Sequence, residues 1–104
     1  MAYRREVQVT WDESKNLSNQ TKHGVSFEEA SELFSSGVDY LEIYDVEHSD
    51  EEDRFIAVGP IRRGVVLVVW TERLSADDEE IAVRIISARW ATRRERQHFR
   101  SIME

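Results

Sequence analysis

The sequence predicts a small α+β domain: an antiparallel sheet with two helices before it and one after it. Three observations predict this. Apolar residues recur at strand period in five places. Two capping boxes, Ser26 to Glu29 and Thr92 to Glu95, open helical segments. The 104 residues suit one domain, expected to run from 1 to 104. A chain of this size buries roughly 60–70% of the surface exposed when unfolded, enough for one core.

The elements follow in order. Val7, Val9 and Trp11 alternate with Gln8 and Thr10 and read as a strand. Asp12 caps a short helix through about Thr21, in which Leu17 is the one apolar anchor, and His23-Gly24 ends it. Phe27, Ala30, Leu33 and Phe34 give a second helix one apolar face, closed by Gly37. Tyr40 to Val46 reads as a strand, His48 to Asp53 as an acidic turn, and Arg54 to Gly59 as the next strand. Pro60 to Gly64 reads as a hairpin turn, and Val65 to Thr71, apolar throughout, as a central strand. Ser75 to Glu80 is expected to form a charged loop before a last strand, Ile81 to Ala88, and a C-terminal helix. Short turns imply antiparallel pairing of successive strands.

Composition excludes several classes. There is no Cys, hence no disulfide framework and no thiolate chemistry. The longest apolar run, Val65 to Trp70, is far too short to span a membrane. Residues 1–6 carry charge with no apolar stretch behind them, so no signal peptide and a cytoplasmic location are expected. The net charge of −7 hides a segregation: residues 27–53 hold eleven acidic side chains and no basic one, whereas residues 84–104 hold six Arg. Twelve of the 14 cations are Arg, whose planar fork suits carboxylate or phosphate. An Arg-rich tail on an acidic chain points to a local anion site, or to pairing with the chain's own carboxylates.

His23, His48 and His98 lack paired metal-ligand spacing, the Asp50–Asp53 run lacks the pattern of a calcium loop, and no metal or cofactor is expected. Metal-free RNA cleavage remains chemically open. It needs a base for the ribose 2′-hydroxyl, cations for the charge developing at phosphorus, and an acid for the leaving oxygen. Arg serves only the second role. The chain offers Lys22, His23, His48 and Glu52 for the others, with Arg54, Arg73, Arg84 and Arg89 as cations. Arg73 and Arg89 are expected at or just past strand ends, and Arg93, Arg96 and Arg100 on one face of the last helix. Trp11 and Trp70 read as core; Trp90, between Arg89 and Arg93, is the candidate for stacking on a base.

Five segments, in order, resemble the BrnT toxin family. They are Trp11-Asp12-Glu13-Ser14-Lys15-Asn16; Lys22-His23-Gly24-Val25-Ser26-Phe27-Glu28-Glu29-Ala30; His48-Ser49-Asp50-Glu51-Glu52-Asp53-Arg54 followed by Gly59; Thr71-Glu72-Arg73; and Arg84-Ile85-Ile86-Ser87-Ala88-Arg89-Trp90-Ala91 with Glu95-Arg96. The resemblance implies a type II toxin–antitoxin toxin with a RelE-like fold and ribonuclease activity that arrests translation. It implies a BrnA-like ribbon-helix-helix antitoxin as partner, with operator DNA contacted only through that antitoxin, and no membrane. Carried over by residue, it implies Arg84 and Arg89 as phosphate-binding groups, with Arg54 and Arg73 beside them. Lys22, His23 and Glu52 become the proton-transfer or orienting groups, with Lys15 behind them. Lys15, Trp90, Arg93, Arg96 and Arg100 are the expected RNA contacts. Many members of the family the chain resembles carry Tyr near the position of Phe99, and Phe99 excludes a phenolic acid or base there. The competing reading is a non-catalytic module that binds the antitoxin and acts as co-repressor.

Overall fold

A computed structural model describes residues 7–35, 37–74 and 80–103. The chain runs β1 (Val9–Trp11), α1 (Glu13–His23), α2 (Phe27–Ser35), β2 (Leu41–Tyr44), a 3-10 turn (Val46–His48), β3 (Arg54–Ile61), β4 (Gly64–Leu74), β5 (Ile81–Trp90) and α3 (Arg93–Met103). The element order matches the sequence expectation. The expected charged loop lies largely outside the described residues.

The five strands form one sheet in the order β1-β5-β4-β3-β2. β2 to β5 pair antiparallel, as short connections demand. The expectation of a wholly antiparallel sheet is corrected at its edge: β1 pairs parallel with β5, Val9 opposite Val83 and Trp11 opposite Ile85. β1 is followed by helices rather than by a hairpin, and its partner comes from the far end of the chain. Pro60 is also corrected, from turn to strand, where it pairs with Val65. Beyond the last β2 pair, Leu41 with Val58, β3 has β4 on one side only. There a missing N–H is tolerated, and the turn shrinks to Arg62-Arg63. Arg73 and Arg89, expected at strand ends, lie inside β4 and β5.

The helices begin and end where side chains satisfy their free backbone groups. Asp12 accepts from Lys15 N at 3.1 Å, and Gly24 closes α1 in the left-handed conformation, φ 71°. Ser26 Oγ accepts from Glu29 N, and Glu29 accepts from Ser26 N in return. Thr92 and Glu95 repeat the arrangement at α3.

One sheet face is filled by α1 and α2. Phe27, Ala30 and Leu33 meet Ala57, Val66, Val68, Trp70, Ile85 and Ala88. Phe55 stacks on Trp70 with ring centroids 4.7 Å apart. α1 contributes little apolar surface, since Leu17, its expected anchor, is exposed. Two buried asparagines hold it instead. Asn16 Oδ1 accepts from Phe27 N at 2.8 Å, and its Nδ2 donates to Glu28. Asn19 Nδ2 donates to Val25 O and Ala88 O, and Asn19 Oδ1 accepts from Ala88 N. The second face is covered at one end, where Phe99 of α3 packs toward Val58, Leu67 and Ala91.

β5 carries a bulge. Val69 faces Ser87 and Trp70 faces Ile85, which leaves Ile86 without a partner. Strict alternation would put Arg84 and Arg89 on opposite faces. The extra residue puts both on the second face, Arg84 beside Thr71 and Arg89 beside Leu67.

Asn19→Ala removes three hydrogen bonds and strands buried backbone groups of Val25 and Ala88. An unsatisfied buried group costs about 1–3 kcal/mol. The variant is expected to lose about 2–4 kcal/mol of unfolding free energy in urea, with an unchanged m-value.

Candidate active site

The second face of the sheet is open at the end away from α3. Its register places Thr10, Arg84, Thr71 and Arg54 in one row across four strands, side chains on the same side. Arg73, two residues beyond Thr71 on β4, shares that side. At about 4.8 Å per strand spacing, the backbones of Arg84 and Arg54 stand about 10 Å apart.

Glu52 lies between two of these arginines. Its Oε2 accepts from Arg73 Nη2 at 3.0 Å, and its Oε1 lies 3.9 Å from Arg54 Nη2. Arg54 Nε is buried without a hydrogen-bond partner. Arg84 is half-buried and makes no side-chain hydrogen bond among the described residues. Cationic capacity is therefore left unused on this row.

The segment from Asp45 to Arg54 forms the wall beside it. Asp45 N donates to Arg54 O, and Arg54 N donates to Ser49 Oγ. Ser49 Oγ donates to Asp45 O, and Thr71 Oγ1 to Asp53 O. Tyr44 OH donates to Asp53 at 2.7 Å. His48 Nδ1 sits 2.9 Å from Asp45. These bonds pin an acidic segment whose composition reads as a solvated turn. It encloses an open cavity of about 270 Å³ lined by Glu47, His48, Asp50, Glu51, Glu52 and Arg54.

Arg89 is on the same face but two rows nearer α3. Four residues along a strand is about 13 Å. Its guanidinium makes a bidentate pair with Glu95, at 2.8 and 2.9 Å. That pair and the amide of Thr92 hold the Glu95 carboxyl at about 2, well below its ordinary 4.5, and the Arg89 pKa is raised in turn. Arg96 donates to Ala91 O, while Arg93 and Arg100 lie exposed on the same helix.

The structure does not bring the remaining sequence candidates to this face. Lys22 and His23 end α1 on the helix-covered side, next to Gly24, whose carbonyl accepts from Arg63. Lys15 is exposed in the first turn of the same helix. Trp90 points to the helix-covered side. Arg63 lies 5.2 Å over its ring while pairing with Glu29, and Gly64 lies against its edge. One face of the indole is therefore occupied, by a residue the sequence did not single out. Asp45 and Tyr44 also contribute unannounced, while Asp53, Thr71 and Glu95 stood in the family-like segments without an assigned role. The signal for Glu95 was present, because the same carboxylate completes the Thr92 capping box. Among the described residues no group of three or more His, Asp or Glu is placed to hold a metal ion.

Fold and site together define a small α+β protein that gathers arginines and a carboxylate on one open sheet face. The family model described as "Ribonuclease toxin, BrnT, of type II toxin-antitoxin system" matches residues 11–95. The chain belongs to that family of ribonuclease toxins, and membership implies an antitoxin partner. Its fold is similar to the crystal structure of the Brucella abortus ribonuclease toxin BrnT, with a TM-score of 0.57 and 24% identity. That similarity covers 84% of this chain and 99% of the other. A search of curated proteins gives no match. No helix among the described residues is long and apolar enough to cross a membrane.

Because the folded Glu95 carboxyl holds its proton less tightly than an unpaired one, the stability it contributes is full above about 4.5 and is lost as pH falls toward about 2. Glu95→Gln is expected to flatten the stability profile across that window and to leave it parallel to the parent's at higher pH, as read by thermal melts at fixed ionic strength.

Proposed function

We propose that the chain is a single toxin domain, residues 1–104, that cleaves RNA without a metal by transphosphorylation. A BrnA-like ribbon-helix-helix antitoxin neutralises it and carries it to operator DNA. The observation that carries the catalytic reading is the row of Arg54 and Arg84, with Arg73 beside them, on an open sheet face in a ribonuclease toxin family.

The chemistry assigns roles as follows. Arg84 and Arg54 bind the scissile phosphate and stabilise the charge that grows on its oxygens. Glu52, bonded to Arg73 and close to Arg54, holds both guanidinium groups at that position. Arg89, set by Glu95, binds a neighbouring phosphate along the strand, and Arg93, Arg96 and Arg100 extend the cationic path over α3. Lys15, Lys22, His23 and Trp90 lie off this path and contribute through the fold. A cytoplasmic site of action follows from an RNA substrate and a translating target.

The test is purified protein with bulk RNA in excess EDTA and end-group analysis. Ends carrying 2′,3′-cyclic phosphate are expected. Arg84→Ala and Arg54→Ala are each expected to lower kcat about ten- to a thousandfold, the scale of losing one charge-stabilising contact. Unchanged rates in both variants would remove the row from the site. Expression of the wild type is expected to stop growth unless the antitoxin is co-expressed.

A further inference from the structure

We infer that His48, oriented by Asp45, is the base that takes the 2′-hydroxyl proton during cleavage. The inference rests on the arginine row being the phosphate site.

The geometry points to it directly. The His48 ring and Arg54 line the same open cavity. Nδ1 lies 2.9 and 3.1 Å from the two Asp45 oxygens. An ionised carboxylate only accepts, so Nδ1 carries the proton in that bond. In a neutral ring this leaves the lone pair on Nε2. Nε2 has no partner among the described residues, and the His48 side chain is 64% exposed, whereas that of Asp45 is 14% exposed. The half-hidden Asp45 carboxylate thus engages one ring nitrogen and leaves the other free, on a residue that lines a cavity together with Arg54 and Glu52.

The other groups in the cavity fit the role less well. Glu52 is committed to Arg73. Tyr44, which does not line the cavity, has its OH committed to Asp53. Glu47, Asp50 and Glu51 line the cavity, but no hydrogen bond among the described residues fixes their carboxylates. Glu52 also has one oxygen held, by Arg73, but its other oxygen lies 3.9 Å from the Arg54 guanidinium, whereas His48 Nε2 has no partner among the described residues.

In the step, the 2′-oxygen attacks the adjacent phosphorus while its proton passes to His48 Nε2. The P–O5′ bond breaks. The 5′-oxygen takes a proton from water in the open cavity, and the hydroxide left behind is neutralised by the proton on the imidazolium. The products are a 2′,3′-cyclic phosphate and a 5′-hydroxyl. Asp45 is a positioning residue: it touches the imidazole, not the RNA.

The experiment compares wild type, His48→Ala, His48→Gln and Asp45→Asn on an oligoribonucleotide. It repeats the comparison on one whose bridging 5′-oxygen is replaced by sulfur, a leaving group that needs no proton. Melting curves check that each variant folds. Both His48 variants are expected to lose about a hundredfold or more in kcat, the usual range for a general base. The loss should persist on the thio substrate, and added imidazole should recover part of it in His48→Ala only. Asp45→Asn should lower kcat with little change in KM. An active wild type whose His48 variants cleave at its rate overturns the inference alone. A defect that vanishes on the thio substrate makes His48 the acid and overturns it as well. A wild type that fails to cleave in EDTA overturns both this inference and the proposed function.

Discussion

Ile86 has no partner on β4, and the alternation of β5 slips by one residue there. Arg84 and Arg89 stand five positions apart, an odd number that a regular strand sends to opposite faces. With the bulge, both guanidinium groups reach the same side. Without it, one of them would meet the helices and the buried ring of Trp70. The pairings of Arg84 with Thr71 and of Arg89 with Leu67, and the reach of Arg89 to Glu95, all follow from that slip. The site is thus set by the backbone register more than by any single side chain.

The opposite face shows how the sheet can leave one surface open. α2 supplies apolar packing, but α1 is held largely by two amides: Asn16 binds it to α2 through Phe27 N and Glu28, and Asn19 binds it to β5 through Ala88. Such bonds are directional, so they fix the seat of α1 over Ala88 where apolar contact would allow sliding. Arg63 ties the β3–β4 turn to the same pair of helices through Glu29 and Gly24 O. With the core secured on that side, the other face needs α3 only over Val58, Leu67 and Ala91. Phe99 belongs to that patch. Its ring packs against the sheet.

Local signals in the sequence were strong. Both capping boxes, the Asp12 cap and the left-handed Gly24 are written within four or five residues and formed as read. The apolar runs located all five strands within a few positions. What escaped was non-local. The partner of β1 lies more than 70 residues away, and nothing in Val9 to Trp11 specifies it. Pro60 read as a turn because the vacant side of β3 is known only once β2 is seen to end. The bulge at Ile86 has no glycine to mark it. For the site, residue types were legible but grouping was not. Arg54, Arg73 and Arg84 with Glu52 came together, because strand register joins them. Lys22 and His23 did not, because a helix on the far face carries them. Asp45 and Tyr44 carried no motif, and their hydrogen bonds exist only after the Asp45–Arg54 segment folds back on itself.

β5 lies between β1 and β4, yet it is the last strand to be synthesised. Until it emerges, β1 has no neighbour and Trp70 and Val68 lack their partners Ile85 and Ala88. The meander from β2 to β4 can form early, but the row containing Arg84 cannot. A ribosome making this chain therefore carries an incomplete arginine row until β5 has emerged. Any delay in seating β5 lengthens the interval before Arg84 can join Thr71 and Arg54.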